Sequence, residues 1–328
     1  MSTINWLFYV NFAIFSVFLA LFITELMGAV LLLVDYEHAR KPVLAHVVPI
    51  WEVTGTFAAF WVVTADFAYP SMLIPVATLL AAYIVVFLIL IVARNASISF
   101  AEYIVKHRWL DEKKLYQAYA ISTLGIGIVV VIILSAIVSG AGVTLSTLSF
   151  SIVGWITNPG SLPYLLGVLV IGVALAPVFY GIEGLRRWTF PLASLGVGIE
   201  GAALYLFSPS FLSSWFLVPA VLTVLPALFF QFPKFAPIVT NKIVFGAVAA
   251  LIIFSQTYLV YPTAFHGGIK VDSVTTQGPM VGAFLVLTAV GIVVVGGLMV
   301  LYLVVVTRSP GRATATPSPS VPTGVQHP

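Results

Sequence analysis

Four acidic residues of this sequence lie inside long apolar runs, where a charged side chain is expensive: Glu25, Glu52, Asp66 and Glu200. A carboxylate at the centre of a membrane helix costs about 2.5 to 3.5 kcal/mol even on a lenient insertion scale. A buried carboxyl group can also carry a proton, because a low dielectric favours its neutral form. The chemistry that such residues could do is proton transfer, and the alternative is a carboxyl group that joins two helices.

Glu25 and Glu52 are the best candidates for a proton path. Glu25 lies about nine residues from the end of its apolar run, and Glu52 lies about five residues into the next run. Both would then be about 8 to 14 Å deep on the same side of a membrane, where they could face one another. Groups that could support them are the indole of Trp51 and the hydroxyls of Thr24, Thr54 and Thr56. We therefore predict a proton path from the cytoplasm.

The other two acids have structural interpretations. Asp66 is followed by Tyr69 and Pro70, which indicates the end of a helix at the opposite membrane interface. Glu200 lies in the run GVGIEGAA, whose small residues allow another helix to approach closely. We expect Glu200 to be an interhelical acid.

Other kinds of site are not expected in this chain. It contains no cysteine, which excludes thiolate metal sites, disulfides and cysteine catalysis. A haem held by two histidines needs paired imidazoles inside a bundle, and the histidines fall outside the centres of the apolar runs. They are His38, His46, His107, His266 and His327. We therefore expect no haem ligand, no metal site and, without a Walker A or GxGxxG motif, no nucleotide site.

The composition is that of an integral membrane protein, because 61% of the residues are hydrophobic, 8% are charged and the mean hydropathy is +1.12. The net charge of +3 is small and scattered, so no nucleic-acid partner is expected. Apolar runs long enough to cross a bilayer predict nine spans. They cover residues 5–34, 47–68, 71–93, 116–140, 162–182, 188–207, 211–232, 239–261 and 280–307.

The basic residues give the orientation of these spans. Twelve of the fourteen lysines and arginines follow an odd-numbered span, and Lys242 lies just inside the start of span 8 on the same side. Only Lys270 lies on the other side. The largest group comes after the third span and starts at Arg94. Because cytoplasmic loops collect lysine and arginine, we predict an external N-terminus and a cytoplasmic C-terminus in a prokaryotic cell membrane.

These observations predict an all-α integral membrane protein with about nine transmembrane helices. Spans 1 to 4 and 5 to 8 could form two four-helix bundles, with the ninth span as an extra helix. The transmembrane domain would cover residues 1–308. The tail 309–328 is rich in proline, serine and threonine and is predicted to be a disordered cytoplasmic segment.

The run from Pro49 to Phe100 resembles the second and third helices of subunit II of cytochrome bd-type quinol oxidases. The Pro-x-Trp-Glu start, the Tyr-Pro turn and the Arg near the end of the third span carry this resemblance. The segments ITELMGAVLLL, YGIEGLRR and LVYPTAF resemble further parts of that family. The family's Asn-x-Val-Trp segment is replaced by Thr54-Gly55-Thr56-Phe57, so the chain resembles a divergent member.

The resemblance implies a noncatalytic subunit of a quinol:oxygen oxidoreductase in the respiratory chain. In that family subunit I holds haems b and d and oxidises quinol, and subunit II carries no catalytic haem ligands. The partner of this chain would then be a haem-bearing subunit I, with membrane lipid around both. The carboxylate after the Trp belongs to a cytoplasmic proton path in the family, which assigns that role to Glu52.

Two other functions fit the sequence. A proton-coupled secondary transporter could use Glu25, Glu52 and Glu200 as coupling sites, and prolines inside the predicted spans would favour the broken helices of such proteins. The chain could also be a quinone-interacting membrane anchor of another respiratory complex.

Overall fold

The computed structural model describes residues 5–103 and 111–308, with side chains as far as Leu301. The α-helices in these ranges are α1 (Trp6–Val34), α2 (Tyr36–Ala68), α3 (Pro70–Leu79), α4 (Ala81–Tyr103), α5 (Glu112–Ser139), α6 (Ile152–Thr157), α7 (Ser161–Tyr180), α8 (Arg186–Phe207), α9 (Leu217–Phe230), α10 (Ala236–Val239), α11 (Lys242–Ser255), α12 (Val271–Val274) and α13 (Pro279–Arg308). Two antiparallel hairpins pair β1 (Val143–Thr144) with β2 (Ser149–Phe150) and β3 (Thr263–Ala264) with β4 (Ile269–Lys270). The predicted disordered tail lies outside the described residues.

Eight helical segments in the described part of the chain are long and apolar enough to cross a membrane. They correspond to all predicted spans except 211–232, where the helical stretch is shorter and covers Ser214–Phe230. The prediction of an all-α, multi-pass membrane protein with about nine helices is therefore confirmed.

Two helices continue well beyond the apolar runs that predicted them. α2 begins at Tyr36 instead of residue 47, and α4 ends at Tyr103 instead of residue 93. Hydropathy detects only the apolar part of a helix, so helical turns that carry polar residues escape it. The third span is also interrupted at Leu80, which lies just over one turn after Pro75.

The helices pack as two sets of four. In the first set α1 contacts α2 and α5, and α4 contacts α5; in the second, α7 contacts α8 and α9, and α9 contacts α8 and α11. α1 also contacts α7 and α11 and so joins the two sets, while α13 packs on α2. Each set is followed by a hairpin and a short helix. This is the predicted arrangement of two four-helix bundles with one extra helix.

One side of the bundle is defined by the helix termini that adjoin the lysine- and arginine-rich connections, and we call it the basic side. These termini belong to α1, α2, α4, α5, α7, α8, α9, α11 and α13.

Close approach of α7 and α8 depends on glycine. A Cβ atom on Gly167 would lie 2.8 Å from the Glu200 backbone nitrogen, and one on Gly196 would lie 2.9 Å from that of Ile171. Small residues allow such backbone contact between membrane helices.

Candidate proton-transfer site

Glu25 of α1 is completely buried and forms an ion pair. Its Oε2 atom accepts hydrogen bonds from the guanidinium group of Arg94 and from the hydroxyl of Tyr119, the latter at 3.0 Å. The guanidinium carbon also lies 5.6 Å from the centroid of the Tyr119 ring. Helices α1, α4 and α5 therefore meet at a buried ion pair that a tyrosine supports.

Arg94 corrects one inference from the charge pattern, which places this residue in the basic connection after the third span. In the structure it lies inside α4 and is 5% exposed. Its Nη1 atom donates to Oδ1 of Asn95 at 2.9 Å, while Nη2 donates to Glu25. The counter-charge of Glu25 allows an arginine to be buried here. In the sequence, the only sign of this buried arginine is its position directly after an apolar run.

The ion pair keeps unused hydrogen-bonding capacity. Oε1 of Glu25 and Nε of Arg94 are buried and have no hydrogen-bond partner within residues 5–103 and 111–301. A buried polar atom without a partner costs about 1 to 3 kcal/mol, and more when it is charged. The hydrogen bonds of the ion pair therefore offset only part of the cost of burying its two charges.

Glu52 has the opposite environment, because its side chain is exposed on α2. From Glu52 to the end of this helix the exposed residues recur at intervals of three and four and form one stripe, which we call the α2 face. It consists of Glu52, Gly55, Thr56, Ala59, Val62, Val63 and Asp66. The face carries a carboxylate near each end and small or β-branched residues between them. Nothing in the described part of the chain covers it.

The two carboxylates of the predicted path do not share a hydrogen bond among the described residues. Glu25 points from α1 towards α4 and α5, whereas Glu52 lies on the side of α2 that faces away from the bundle. Trp51, next to Glu52, is partly buried and packs against the main apolar core. The expected face-to-face pair is thus replaced by one buried and one exposed acid.

The predicted supporting hydroxyls bond mainly to backbone carbonyls of their own helices. Thr54 donates to the Ile50 carbonyl at 3.1 Å and Thr56 to the Glu52 carbonyl at 3.0 Å. Thr24 donates to the Leu21 carbonyl at 2.7 Å. Such bonds hold the side chains against their helices, so any part in proton transfer requires a hydroxyl to rotate away.

His46 is a buried residue that the sequence reasoning placed at a helix end. It lies within α2 and is 5% exposed, with Nε2 3.0 Å from the Thr24 hydroxyl oxygen. Because the single Thr24 hydrogen points to a carbonyl, Nε2 donates to this oxygen. The imidazole also packs edge-on against Phe179 of α7. His46 belongs to the buried stripe of α2 that includes Val43 and Ile50. The helical spacing of these residues in the sequence could have identified His46 as buried.

Glu200 lies in the second set of helices and is 6% exposed. Its Oε1 atom accepts a long hydrogen bond of 3.4 Å from Gln256, which follows α11. The carboxyl group also lines a largely apolar cavity of about 490 Å³ between the two sets of helices, with Trp61 and Tyr164 among its walls. Glu200 is therefore in contact with another helical segment and is separate from the Glu25 ion pair.

Comparison with known proteins gives one kind of match. No protein-family model and no curated protein matches the sequence. Among solved structures, a chain of the bd oxidase from Geobacillus thermodenitrificans is similar over 92% of this chain and 97% of that chain, with a TM-score of 0.65 and 16% sequence identity. At this identity the likeness establishes a shared fold. The fold implied by the resemblance of residues 49–100 is therefore confirmed.

Proposed function

We propose that this chain is subunit II of a cytochrome bd-like quinol:oxygen oxidoreductase and pairs with a haem-bearing subunit I in a prokaryotic cell membrane. The fold shared with a chain of a bd oxidase supports this proposal. The sequence Pro49-x-Trp51-Glu52 supports it independently, because it resembles the start of the second helix of that subunit.

The observation that carries the proposal is the exposure of Glu52 on a helix that crosses the membrane. A carboxylate facing lipid costs several kcal/mol, and intramembrane acids therefore face protein or a water-filled cavity. The small residues Gly55 and Ala59 beside Glu52 would let another helix approach the α2 face closely. A partner subunit on this face would remove Glu52 from lipid and receive its proton.

The haems and the quinol site belong to the partner in this proposal. A haem held by two histidines needs facing imidazoles, and the side chains described for this chain do not fit one. His46 is bonded to Thr24 and packed against Phe179, while His38 and His266 are exposed. This chain would contribute proton uptake from the cytoplasm, with the basic side as the cytoplasmic side.

Within the chain, Glu25 and Glu52 have different parts in this path. The ion pair with Arg94 makes Glu25 a transient proton acceptor at the interior of the first helix set. Glu52, with Trp51 beside it, is the last group of the path before the partner. Protons therefore move from the buried acid to the exposed one through water or through groups of the partner.

The test is to purify the chain with whatever partner remains bound and to record the visible spectrum. We expect haem absorption and quinol-dependent oxygen consumption; a stable, haem-free monomer would refute the proposal. In the complex, Glu52→Gln should leave the haem content unchanged and slow proton uptake during oxygen reduction by about 10²-fold. Asp66→Asn is the matched control on the same α2 face, and its turnover should equal that of the wild type.

A second candidate function, a proton-coupled transporter, is favoured by the cavity between the helix sets. Its wall holds the buried Glu200 carboxyl group, and coupling sites of transporters lie at such positions between repeats. This candidate predicts that the purified chain moves a solute without haem and that Glu200→Gln abolishes the movement.

A further inference from the structure

A proton path through Glu25 needs a route to this carboxylate, because it is completely buried. Near the end of α4 on the basic side, a second carboxylate, Glu102, is exposed. The hydroxyl of Tyr116 in α5 donates a hydrogen bond to Oε1 of Glu102. Tyr119, three residues further along α5, donates to Oε2 of Glu25 at 3.0 Å. Polar groups thus extend from the surface to the buried acid.

Helix α5 positions the two tyrosines on one face. Residues three apart on a helix are neighbours, with Cβ atoms about 5 to 6 Å apart. The start of α5 is fixed by Asp111, whose carboxylate accepts the backbone N–H of Lys114 at 2.8 Å, and this bond holds the pKa of Asp111 below its ordinary value. Exposure falls to 2% at Tyr116 and 0% at Tyr119. The series therefore leads inward.

We propose that Glu102, Tyr116 and Tyr119 form the intake end of the proton path to Glu25. This inference rests on the proposed function and adds three residues to it. A hydroxyl group both accepts and donates a hydrogen bond, so a tyrosine can pass a proton on without a net change of charge. Hydrogen bonds are present at both ends of the series, and in this proposal a water molecule connects the two tyrosine hydroxyls.

Each transfer conserves protons. A proton from solution binds the Glu102 carboxylate, whose O–H then donates it to the Tyr116 oxygen while Tyr116 releases its own proton to the bridging water. The water passes a proton to the Tyr119 oxygen, and Tyr119 passes its proton to Glu25. One proton leaves solution, one arrives on Glu25, and both tyrosines and the water end neutral. The guanidinium of Arg94, also held by Asn95, stays in place while Glu25 is neutral.

The experiment measures proton uptake by the purified complex with a pH-indicating dye, after oxygen is mixed with the fully reduced enzyme. We expect Tyr116→Phe and Glu102→Gln each to slow uptake by about 10²-fold, with unchanged haem content. Tyr180→Phe is the matched control. This tyrosine is also buried and its hydroxyl donates to the Thr24 carbonyl at 2.8 Å, next to Glu25. Its loss should leave the uptake rate unchanged.

The outcomes separate this inference from the proposed function. If Glu52→Gln slows uptake while Tyr116→Phe and Glu102→Gln do not, protons reach the path elsewhere and the tyrosine route is wrong. Equal slowing by Tyr116→Phe and Tyr180→Phe would also overturn it, because the effect would then be one of packing. A wild-type complex without haem or oxygen consumption would overturn both proposals.

Discussion

Replacing Arg94 by alanine tests whether the buried ion pair organises the first set of helices. Glu25 is 0% exposed and the Arg94 side chain is 7% exposed, so water cannot replace the lost cation without a rearrangement. Removing one partner of a buried ion pair costs about 3 to 5 kcal/mol. Because Tyr119 still donates a hydrogen bond to Glu25, we expect the lower value, about 3 kcal/mol. That is about a 10²-fold change in the unfolding equilibrium.

The assay is unfolding in mixed micelles with a rising fraction of sodium dodecyl sulfate, followed by circular dichroism. Arg40→Ala serves as a control, because Arg40 pairs with Glu112 where the two side chains are 45% and 28% exposed. Pairs this exposed contribute about 0 to 1 kcal/mol. A loss for Arg94→Ala that is no larger than the loss for Arg40→Ala would refute the reasoning.

A double variant gives the second control. In Arg94→Met with Glu25→Leu both buried charges are gone, and apolar replacement of a buried pair is often neutral or stabilising. We therefore expect the double variant to be more stable than Arg94→Ala alone. If it is equally unstable, the uncompensated charge of Glu25 is not the cause of the loss in the single variant.

The same unfolding assay tests two further contacts. Gly167→Ala should destabilise by about 1 to 3 kcal/mol, since its Cβ would meet backbone atoms of Glu200, whereas Gly172→Ala in the same helix meets nothing within 4 Å and should not. Asn11→Leu should cost about 0.6 kcal/mol, because Asn11 donates a buried hydrogen bond of 3.0 Å to Thr64 between α1 and α2; a loss above 2 kcal/mol would contradict this value.

The membrane spans could be predicted from the sequence because hydropathy reports directly on transfer into lipid. The ends of α2 and α4 could not, since their polar turns are held by pairs such as Arg40 with Glu112 and Arg94 with Glu25, which have no hydropathy signal. The short length of the helical stretch at Ser214–Phe230 could not be predicted either, because its flanking residues are apolar although they do not continue the α-helix.

For the candidate site, residue type and depth identified the acids but not their partners. Glu25 stood out because an acid inside an apolar run is rare. Its partner Arg94 was assigned to a loop because a basic residue at the end of an apolar run is also what the orientation rule predicts. Only the packing of α1 against α4 and α5 separates the two readings. The same holds for His46, whose burial depends on α7 packing against α2.

Glu25 and Glu52 look alike in the sequence, yet they pose different energetic problems. The charge of Glu25 is compensated inside this chain by Arg94 and Tyr119. Glu52 has no such compensation among the described residues, and it lies too far from the ends of α2 for the short side chain of a glutamate to reach water easily. Asp66, two residues before the end of the same helix, can reach the interface. Of the three acids, Glu52 is therefore the one whose environment has to be completed by another molecule.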